Sequence, residues 1–291
     1  MNNNKTTLPE LAGVKHRFVT LGDVRFHIAE AGVGAPLVLL HGWPQHWFLW
    51  RHQIPILAES YRVICPDLRG FGWSDAPPAG YDKEQLAADI FGVLDALEIG
   101  SFRLMGHDWG GWVGFLMCLN QPERIKRFLA LNIAHPFQSV DARLFSAWRF
   151  WYQYIIATPG LGYSLIRSAW FVEKLITLGF SQQVLSQKEL EIYSRVLREP
   201  QRAKASVLLY RTFLLREFFP IALGKYKQQR LEMPVRILFG RNDFALSVDL
   251  LRDFQAYGDD LAIEFVDDCG HFIVEEKPEL VTGRALTFFV R

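Results

Sequence analysis

The sequence predicts an α/β fold with a mostly parallel central sheet, helices on its two faces and one inserted helical segment. Short apolar runs alternate with helical patterns up to residue 132, and the alternation returns after residue 234. Alternation of this kind is typical of parallel strands joined by crossover helices. The stretch between the two blocks is helical and rich in aromatic residues, with no convincing strand pattern.

Composition describes a globular chain and excludes several classes of function. Of 291 residues, 50% are hydrophobic and 22% are charged, and 32 basic against 31 acidic side chains give a net charge of +1. Such a balance gives no reason to expect a nucleic-acid partner. The three cysteines have no C-x-x-C spacing, and no metal or cofactor is expected. No apolar segment resembles a signal peptide or a membrane span, so we expect a cytoplasmic protein.

The first elements read as a hairpin followed by buried strands. Lys15–Thr20 and Val24–Ala29 are separated by a three-residue turn containing a glycine, which is typical of a β-hairpin. Pro36–Leu40 is a continuous apolar run and predicts a buried strand. Trp47–Leu57 predicts a helix, and Arg62–Cys65 predicts the next apolar strand.

Lys83–Leu97 is the clearest amphipathic helix in the sequence. At helical spacing, one of its faces carries five apolar side chains: Leu86, Ile90, Val93, Leu94 and Leu97. The apolar strand Phe102–Met105 follows, then the helix Gly111–Asn120 and the strand Arg127–Asn132.

The alternating pattern stops after Asn132 and is replaced by helical sequence from Phe137 to about Ala222. We therefore expect a core domain of residues 1–136 and 223–291, with residues 137–222 forming a helical cap over the carboxyl edge of the sheet. The elements predicted after the cap are the strands Val235–Phe239 and Ala262–Val266 and the helix Pro278–Phe289.

A glycine-rich turn joins the strand Phe102–Met105 to the helix that follows it. The turn reads Gly106-His107-Asp108-Trp109-Gly110, which has the spacing of the strand–turn–helix signature G-x-S-x-G with aspartate in the serine position. Such a turn projects one side chain from the top of a sheet towards a helix N-terminus, where negative charge is favoured. The turn therefore predicts Asp108 as a nucleophile.

A carboxylate nucleophile needs a base and an acid that orients the base. Among eight histidines, His271 lies in a loop directly after the last strand and is the preferred base, with His135 as the second candidate. Asp243 follows the strand before it, in the chain order nucleophile, acid, histidine. The other usual position for the acid follows the strand ending at Asn132, where no carboxylate occurs.

Two backbone N–H groups are expected to stabilise an oxyanion. One belongs to Trp109, directly after the nucleophile, and the other to Trp43, in the loop that follows the strand Pro36–Leu40.

From Val24 to Phe289 the sequence resembles the α/β-hydrolase superfamily and, within it, the epoxide hydrolases and the related haloalkane dehalogenases. The resemblance implies an α/β-hydrolase fold with an inserted helical cap and no cofactor. The motifs that carry it are His41-Gly42-Trp43-Pro44, Asp67–Ser74, Gly106–Gly111, Asn242-Asp243-Phe244 and Gly270-His271-Phe272.

The resemblance to epoxide hydrolases implies two cap tyrosines that protonate the epoxide oxygen. The segment Trp151–Gly160 is similar to the family's first tyrosine motif and points to Tyr152, with Tyr154 as a competitor. Leu208-Leu209-Tyr210-Arg211 resembles the second motif and points to Tyr210. The implied reaction forms an ester on Asp108, which water activated by His271 then hydrolyses to release a vicinal diol.

Two other functions stay open. A haloalkane dehalogenase would use Trp109 as a halide donor, but the usual asparagine partner is replaced by Trp43. A ligand receptor without catalysis is the alternative from another class. The expected partners are a lipophilic epoxide and water, and the protein could be a monomer or a homodimer.

The substrate pocket is expected to be apolar, because the predicted cap is rich in aromatic side chains. The residues expected to line it are Trp43, Trp109, His135, Trp151 and Tyr154, together with the cap residues Trp148, Phe150, Trp170 and Phe171.

Overall fold

A computed structural model describes residues 7–138, 147–182 and 185–290. Within them one sheet of eight strands runs in the order β1-β2-β4-β3-β5-β6-β7-β8. The strands are β1 (Lys15–Leu21), β2 (Val24–Ala31), β3 (Ala35–Leu40), β4 (Tyr61–Pro66), β5 (Phe102–His107), β6 (Ile125–Leu131), β7 (Val235–Gly240) and β8 (Leu261–Val266). β2 pairs antiparallel with both β1 and β4, and the remaining pairs are parallel. The prediction of a mostly parallel sheet flanked by helices is confirmed.

The α-helices before the long insertion are α1 (Ile54–Leu57), α2 (Lys83–Ala96) and α3 (Trp109–Asn120). Those between β6 and β7 are α4 (Trp151–Ala157), α5 (Leu161–Arg167), α6 (Trp170–Gly179), α7 (Gln187–Leu197), α8 (Pro200–Thr212) and α9 (Phe218–Ala222). The last two are α10 (Ile273–Glu276) and α11 (Pro278–Phe289).

One predicted helix, Trp47–Leu57, is wrong as a continuous element. The structure has a 3₁₀ turn at Trp47–Trp50 and then the separate short helix α1, whose first turn contains Pro55. A proline has no backbone N–H and fits only the first turn of a helix, so a helix cannot run through this position.

The loops that carry the candidate site residues all leave the same edge of the sheet. The last residues of β3 and β5 are in register, since Leu40 pairs with Gly106, and His107 pairs with Leu131 of β6. The strand order reverses its direction between β3 and β5. In open α/β sheets, ligands bind at the carboxyl ends of the strands at such a reversal.

The core consists of two large groups of buried side chains on opposite faces of the sheet. Successive residues of a strand alternate between the groups: Val38 and Leu40 belong to one, and Leu37 and Leu39 to the other. The first group includes residues of α2, α3 and the helices between β6 and β7, and the second includes residues of α1 and α11.

The described helices from α4 to α9 follow one another in the chain between β6 and β7, with no strand among the described residues of that segment. We call residues 147–222 the helical insertion. The predicted domain boundaries at residues 136/137 and 222/223 stay a prediction. No helix in the described ranges combines the length and the apolar character needed to cross a bilayer.

Two helical glycines predict opposite effects of the same substitution. A Cβ at Gly114 in α3 would lie 2.6 Å from Cζ of the fully buried Phe128, whereas a Cβ at Gly283 in α11 would meet no atom within 4 Å. Gly114→Ala should therefore lower the free energy of unfolding by about 1–3 kcal/mol. Gly283→Ala should raise it by about 0.5–1 kcal/mol through the helix preference of alanine.

Urea unfolding of the two variants beside the wild type checks both signs. A stabilising Gly114→Ala substitution would mean that Phe128 can move aside without loss of packing.

Candidate active site

Asp108 lies in a strained turn between β5 and α3. Its backbone has φ 50° and ψ −124°, a conformation that a residue with a side chain rarely adopts. The turn closes only because Gly110 lets the start of α3 approach the end of β3. A Cβ at Gly110 would lie 2.3 Å from the carbonyl oxygen of Leu40. The close approach holds Asp108 at the carboxyl edge of the sheet.

The carboxylate of Asp108 is held from the loop that follows β3. The backbone N–H of Trp43 donates to Asp108 Oδ2 at 2.9 Å. Gly42 makes this contact possible, because a Cβ there would lie 2.4 Å from the Asp108 side chain. Trp109 is the first residue of α3, so its N–H is one of the donors that a helix leaves without an intrahelical partner.

His271 lies between two carboxylates. Its Nε2 is 3.7 Å from Asp108 Oδ1, and its Nδ1 is 2.8 Å from Asp243 Oδ2. The backbone N–H of His271 donates to the carbonyl of Gly179 at 2.7 Å, and His107 Nε2 donates to the carbonyl of His271 at 2.9 Å. His271 is therefore fixed through both its side chain and its backbone.

Asn132 directly follows β6, at the position where a carboxylate was considered and is absent from the sequence. In the structure it contacts the loops around the site. Its Nδ2 donates to Asp243 Oδ2 at 2.8 Å and to the carbonyl of Gly270 at 3.1 Å. Its Oδ1 accepts from the N–H of Gly240 at 3.2 Å. Asn132 thus joins the loop that carries Asp243 to the loop that carries His271. The sequence feature that could have indicated this role is the position of Asn132 directly after β6, at the sheet edge that carries the other site residues.

The electrostatic environment favours the charged forms of His271 and Asp243. Burial alone would lower the pKa of His271, but the charge of Asp243 and hydrogen bonds to Asp108 and Asp243 raise it to about 10. Burial would raise the pKa of Asp243, but the charge of His271 and hydrogen bonds from His271, Asn132 and the backbone of Leu246 lower it. With both carboxylates beside it, His271 is an imidazolium at neutral pH.

Tyr152 and Tyr210 lie together above Asp108. Both are buried, and their ring centroids are 6.0 Å apart. Burial raises the pKa of each phenol well above its ordinary value, and the charge of Asp108 adds to the effect. The Tyr210 ring also packs against the rings of Trp43 and Trp109, with centroids 5.4 and 5.6 Å away. Both phenols therefore keep their protons at neutral pH.

Two cavities meet at Asp108 and Tyr152. The smaller one has about 300 Å³ of empty space and is lined by residues that include Trp43, Asp108, Tyr152, Tyr210 and His271. The other has about 500 Å³, and part of the space in each is open to solvent. Apart from Asp108, Tyr152 and two glutamines it is lined by apolar and tryptophan side chains: Trp109, Trp112, Ile133, Ala134, Phe150, Phe213, Phe218, Leu246 and Leu250.

Several residues expected at the pocket lie elsewhere. Trp151 and Tyr154 are 42% and 49% exposed, because they point away from the buried face of α4 that carries Tyr152. His135 is buried but faces a different neighbour: its Nε2 is 3.0 Å from the carbonyl of Arg252, and its ring stacks on Phe254. Among the expected lining residues, these three line neither cavity at Asp108.

The aromatic residues expected in the cap divide in the same way. Phe150 lines the larger cavity, whereas Trp148 and Trp170 are 70% and 66% exposed. Phe171 is buried in the core group that includes the helical insertion.

Within residues 7–138, 147–182 and 185–290, no three His, Cys, Asp or Glu side chains are grouped so that they could hold a metal ion. The groups that line the smaller cavity include a carboxylate, an imidazole and two phenols.

Comparison with known proteins gives the family. The sequence profile of the alpha/beta hydrolase fold matches residues 35–278. The chain is 32% identical to the soluble epoxide hydrolase of Corynebacterium sp. (strain C12) over 287 residues, covering 95% of this chain and 97% of the relative. It is 29% identical to epoxide hydrolase 4 of Mus musculus, covering 94% of this chain and 79% of that protein.

A solved structure, "Epoxide hydrolase CorEH without ligand", matches with a TM-score of 0.81 at 29% identity, covering 95% of this chain and 99% of the other. The profile match spans most of the chain, and the relatives align along nearly its whole length. The chain therefore belongs to the α/β-hydrolase fold family and is an epoxide hydrolase-like hydrolase.

Proposed function

We propose that this hydrolase converts epoxides to vicinal diols through a covalent ester on Asp108. The observation that carries the proposal is that two buried, protonated tyrosines, Tyr152 and Tyr210, line the same cavity as Asp108 and His271. A carboxylate can attack a saturated carbon, and a strained ring needs a proton donor for its departing oxygen. The relatives named as epoxide hydrolases support the same reaction.

In the first step Asp108 Oδ1 attacks an epoxide carbon. The C–O bond of the ring breaks, its electron pair goes to the ring oxygen, and that oxygen takes a proton from one of the two tyrosines. Oδ2 becomes the carbonyl oxygen of the ester, because it already accepts the N–H of Trp43 at 2.9 Å. The step leaves an alkyl ester, a tyrosinate and a protonated His271.

Ester formation prepares His271 to act as a base. Because the ester carries no charge, one of the two carboxylates that raise the pKa of His271 is lost, and the imidazolium gives its proton to the tyrosinate through solvent. Neutral His271 can then take a proton from water.

In the second step this water attacks the carboxyl carbon of the ester. The oxyanion develops on Oδ2, where the N–H groups of Trp43 and Trp109 stabilise it. The Cγ–Oδ1 bond then breaks, and Oδ1 leaves as a hydroxyl oxygen of the diol, taking the proton of the newly formed acid. The oxygen of the attacking water stays on Asp108 in its place. Asp108 is again a carboxylate and His271 again an imidazolium, so the cycle closes with one water consumed.

The geometry gives less support to a haloalkane dehalogenase. The indole N–H of Trp43, which would have to replace the missing asparagine as a halide donor, donates to Ser206 Oγ at 3.0 Å. That bond would have to break before Trp43 could hold a halide.

We infer that the substrate is lipophilic and that residues 137–222 act as a cap over it. The apolar and aromatic lining of the larger cavity supports the first inference. The contribution of Tyr152 and Tyr210 to a cavity that contains Asp108 supports the second.

The ester intermediate should accumulate in His271→Gln, because this variant keeps the nucleophile and loses the base. Intact-protein mass spectrometry after incubation with styrene oxide should show the added mass of one substrate molecule, and peptide mapping should assign it to Asp108. Asp108→Asn is the control and should show no adduct.

A His271→Gln enzyme that loses activity without any adduct would contradict the two-step mechanism. Glycidol, a small polar epoxide, should label the same variant more slowly than styrene oxide. Equal rates would contradict the inference of a lipophilic substrate.

Tyr152→Phe and Tyr210→Phe should each lower kcat by about 10²-fold, because the ring oxygen then leaves with one proton donor fewer. Tyr154→Phe is a matched control two residues away on the same helix, and it should change kcat by less than about twofold since this side chain is half exposed. Steady-state rates with styrene oxide test the three variants. A loss in Tyr154→Phe without one in Tyr152→Phe would overturn the assignment.

The raised pKa of His271 predicts how stability depends on pH. The pKa rises from 6.5 in the unfolded chain to about 10 in the folded protein, so the folded state holds the proton more tightly. The stabilisation is fully present below pH 6.5 and is lost as the pH rises towards 10. The difference in free energy of unfolding between the wild type and His271→Gln should shrink over this range, as measured by urea unfolding at several pH values. A constant difference would mean that His271 is neutral in the free enzyme.

A further inference from the structure

Lys83 is a buried cation outside the catalytic groups described above. It lies at the first position of α2, and its side chain is only 1% exposed. Burial lowers its pKa to about 8, and the charge of Glu217 and a hydrogen bond to it act in the opposite direction. Burying an ammonium costs free energy unless oxygen atoms surround it. The partners of Lys83 therefore indicate which parts of the structure it stabilises.

The partners of Lys83 come from the helical insertion as well as from the core. Its Nζ donates to the carbonyl of Leu209 at 2.8 Å and to the carbonyl of Tyr81 at 3.3 Å, and it forms an ion pair with Glu217 Oε2 at 3.1 Å. The backbone N–H of Lys83 donates to Glu217 Oε1 at 2.8 Å. Lys83, a residue outside the insertion, thus contacts two residues of the insertion, Leu209 and Glu217.

Of the two residues that Lys83 contacts, Leu209 precedes a chain segment with unusual geometry and Glu217 is its last residue. Residues Phe213–Glu217, between α8 and α9, form a π-helical turn, a rare conformation that is frequent at functional sites. Phe213, the first residue of the turn, packs against Trp109 with ring centroids 4.9 Å apart. Lys83 therefore fixes the turn at its end and α8 just before its start.

Lys83 also touches the surroundings of the proposed proton donor Tyr210. The carbonyl it holds belongs to the peptide bond that joins Leu209 to Tyr210. Its Nζ lies 4.7 Å from the centre of the Trp109 ring and 5.2 Å from that of Phe213, distances suited to cation–π attraction. The Trp109 ring in turn packs against Tyr210. The ammonium of Lys83 thus contacts both the peptide bond before Tyr210 and the Trp109 ring that packs against Tyr210.

On the basis of the function proposed above, we propose that Lys83 is a positioning residue for ring opening, holding Tyr210 over Asp108 by fixing α8 and the Trp109 ring. Lys83 touches neither substrate nor reacting atoms. Its loss should slow the step in which Tyr210 acts and leave unchanged the later hydrolysis, which depends on His271. A residue needed only for stability would not separate the two steps.

The experiment measures both half-reactions of the full-length enzyme in single turnovers with styrene oxide, by acid quench and intact-protein mass spectrometry. Lys83→Met should lower the rate of ester formation by between about 10-fold and 100-fold, since small displacements of a catalytic group have effects of this size. The rate of ester hydrolysis should change by less than about twofold. Lys225→Met is the matched control, because this exposed lysine pairs with Glu84, the neighbour of Lys83, at 3.2 Å.

One further variant keeps the proposal testable if Lys83→Met folds poorly, and a double variant tests the coupling between Lys83 and Tyr210. Glu217→Gln removes the charge partner and should slow ester formation in the same selective way. In a Tyr210→Phe background, Lys83→Met should slow ester formation by less than about twofold more, because the group it positions is already absent. Full additivity of the two effects would overturn the proposal.

The outcomes separate the two levels of inference. Equal slowing of both half-reactions, or no slowing of either, would reject the role of Lys83 while leaving the ester mechanism intact. Failure of the wild-type enzyme and of His271→Gln to form any ester would reject the proposed function itself.

Discussion

The close approach of two backbone segments underlies the whole site. The loop after β3 and the start of α3 touch where only glycine fits, at Gly42 and Gly110. This contact places the N–H of Trp43 2.9 Å from the Asp108 carboxylate. It also stabilises the backbone of Asp108 at its positive φ of 50°. The strain is local, and the parallel strands on both sides of the turn, which are in register, hold it in place.

A buried charged residue, Glu275, also joins the helical insertion to the loops around Asp108 and His271. Glu275, in α10 just after the histidine loop, accepts hydrogen bonds from Arg51 at 2.8 Å, Gln45 at 3.1 Å and Tyr193 at 2.6 Å. Tyr193 belongs to α7 of the insertion, and Gln45 follows the loop that holds Asp108. Removing Arg51 or Glu275 would leave the other charge buried without its partner, which costs more than the pair contributes. The insertion, the histidine loop and the Trp43 loop are therefore constrained together.

The sequence was informative wherever a signal is local. Alternating apolar runs predict the sheet. Motif spacing singles out Asp108, Asp243 and His271, and in the structure the two carboxylates lie on either side of the His271 ring. The break in the helix at Pro55 was also readable, since proline cannot continue a helix. What could not be read depends on tertiary packing: which face of α4 is buried separates Tyr152 from Tyr154, and Asn132 acts by joining loops that are more than a hundred residues away in the chain.

The hydrogen bond from the N–H of His271 to the carbonyl of Gly179 has a consequence for engineering this scaffold. Gly179 is the last residue of α6, so the loop that carries His271 uses a carbonyl at a helix C-terminus of the insertion as its acceptor. An insertion grafted from a relative would have to end a helix at the same point in space, whatever its sequence. Chimeras that match only the pocket residues would leave His271 with one backbone hydrogen bond fewer, even with an unchanged cavity.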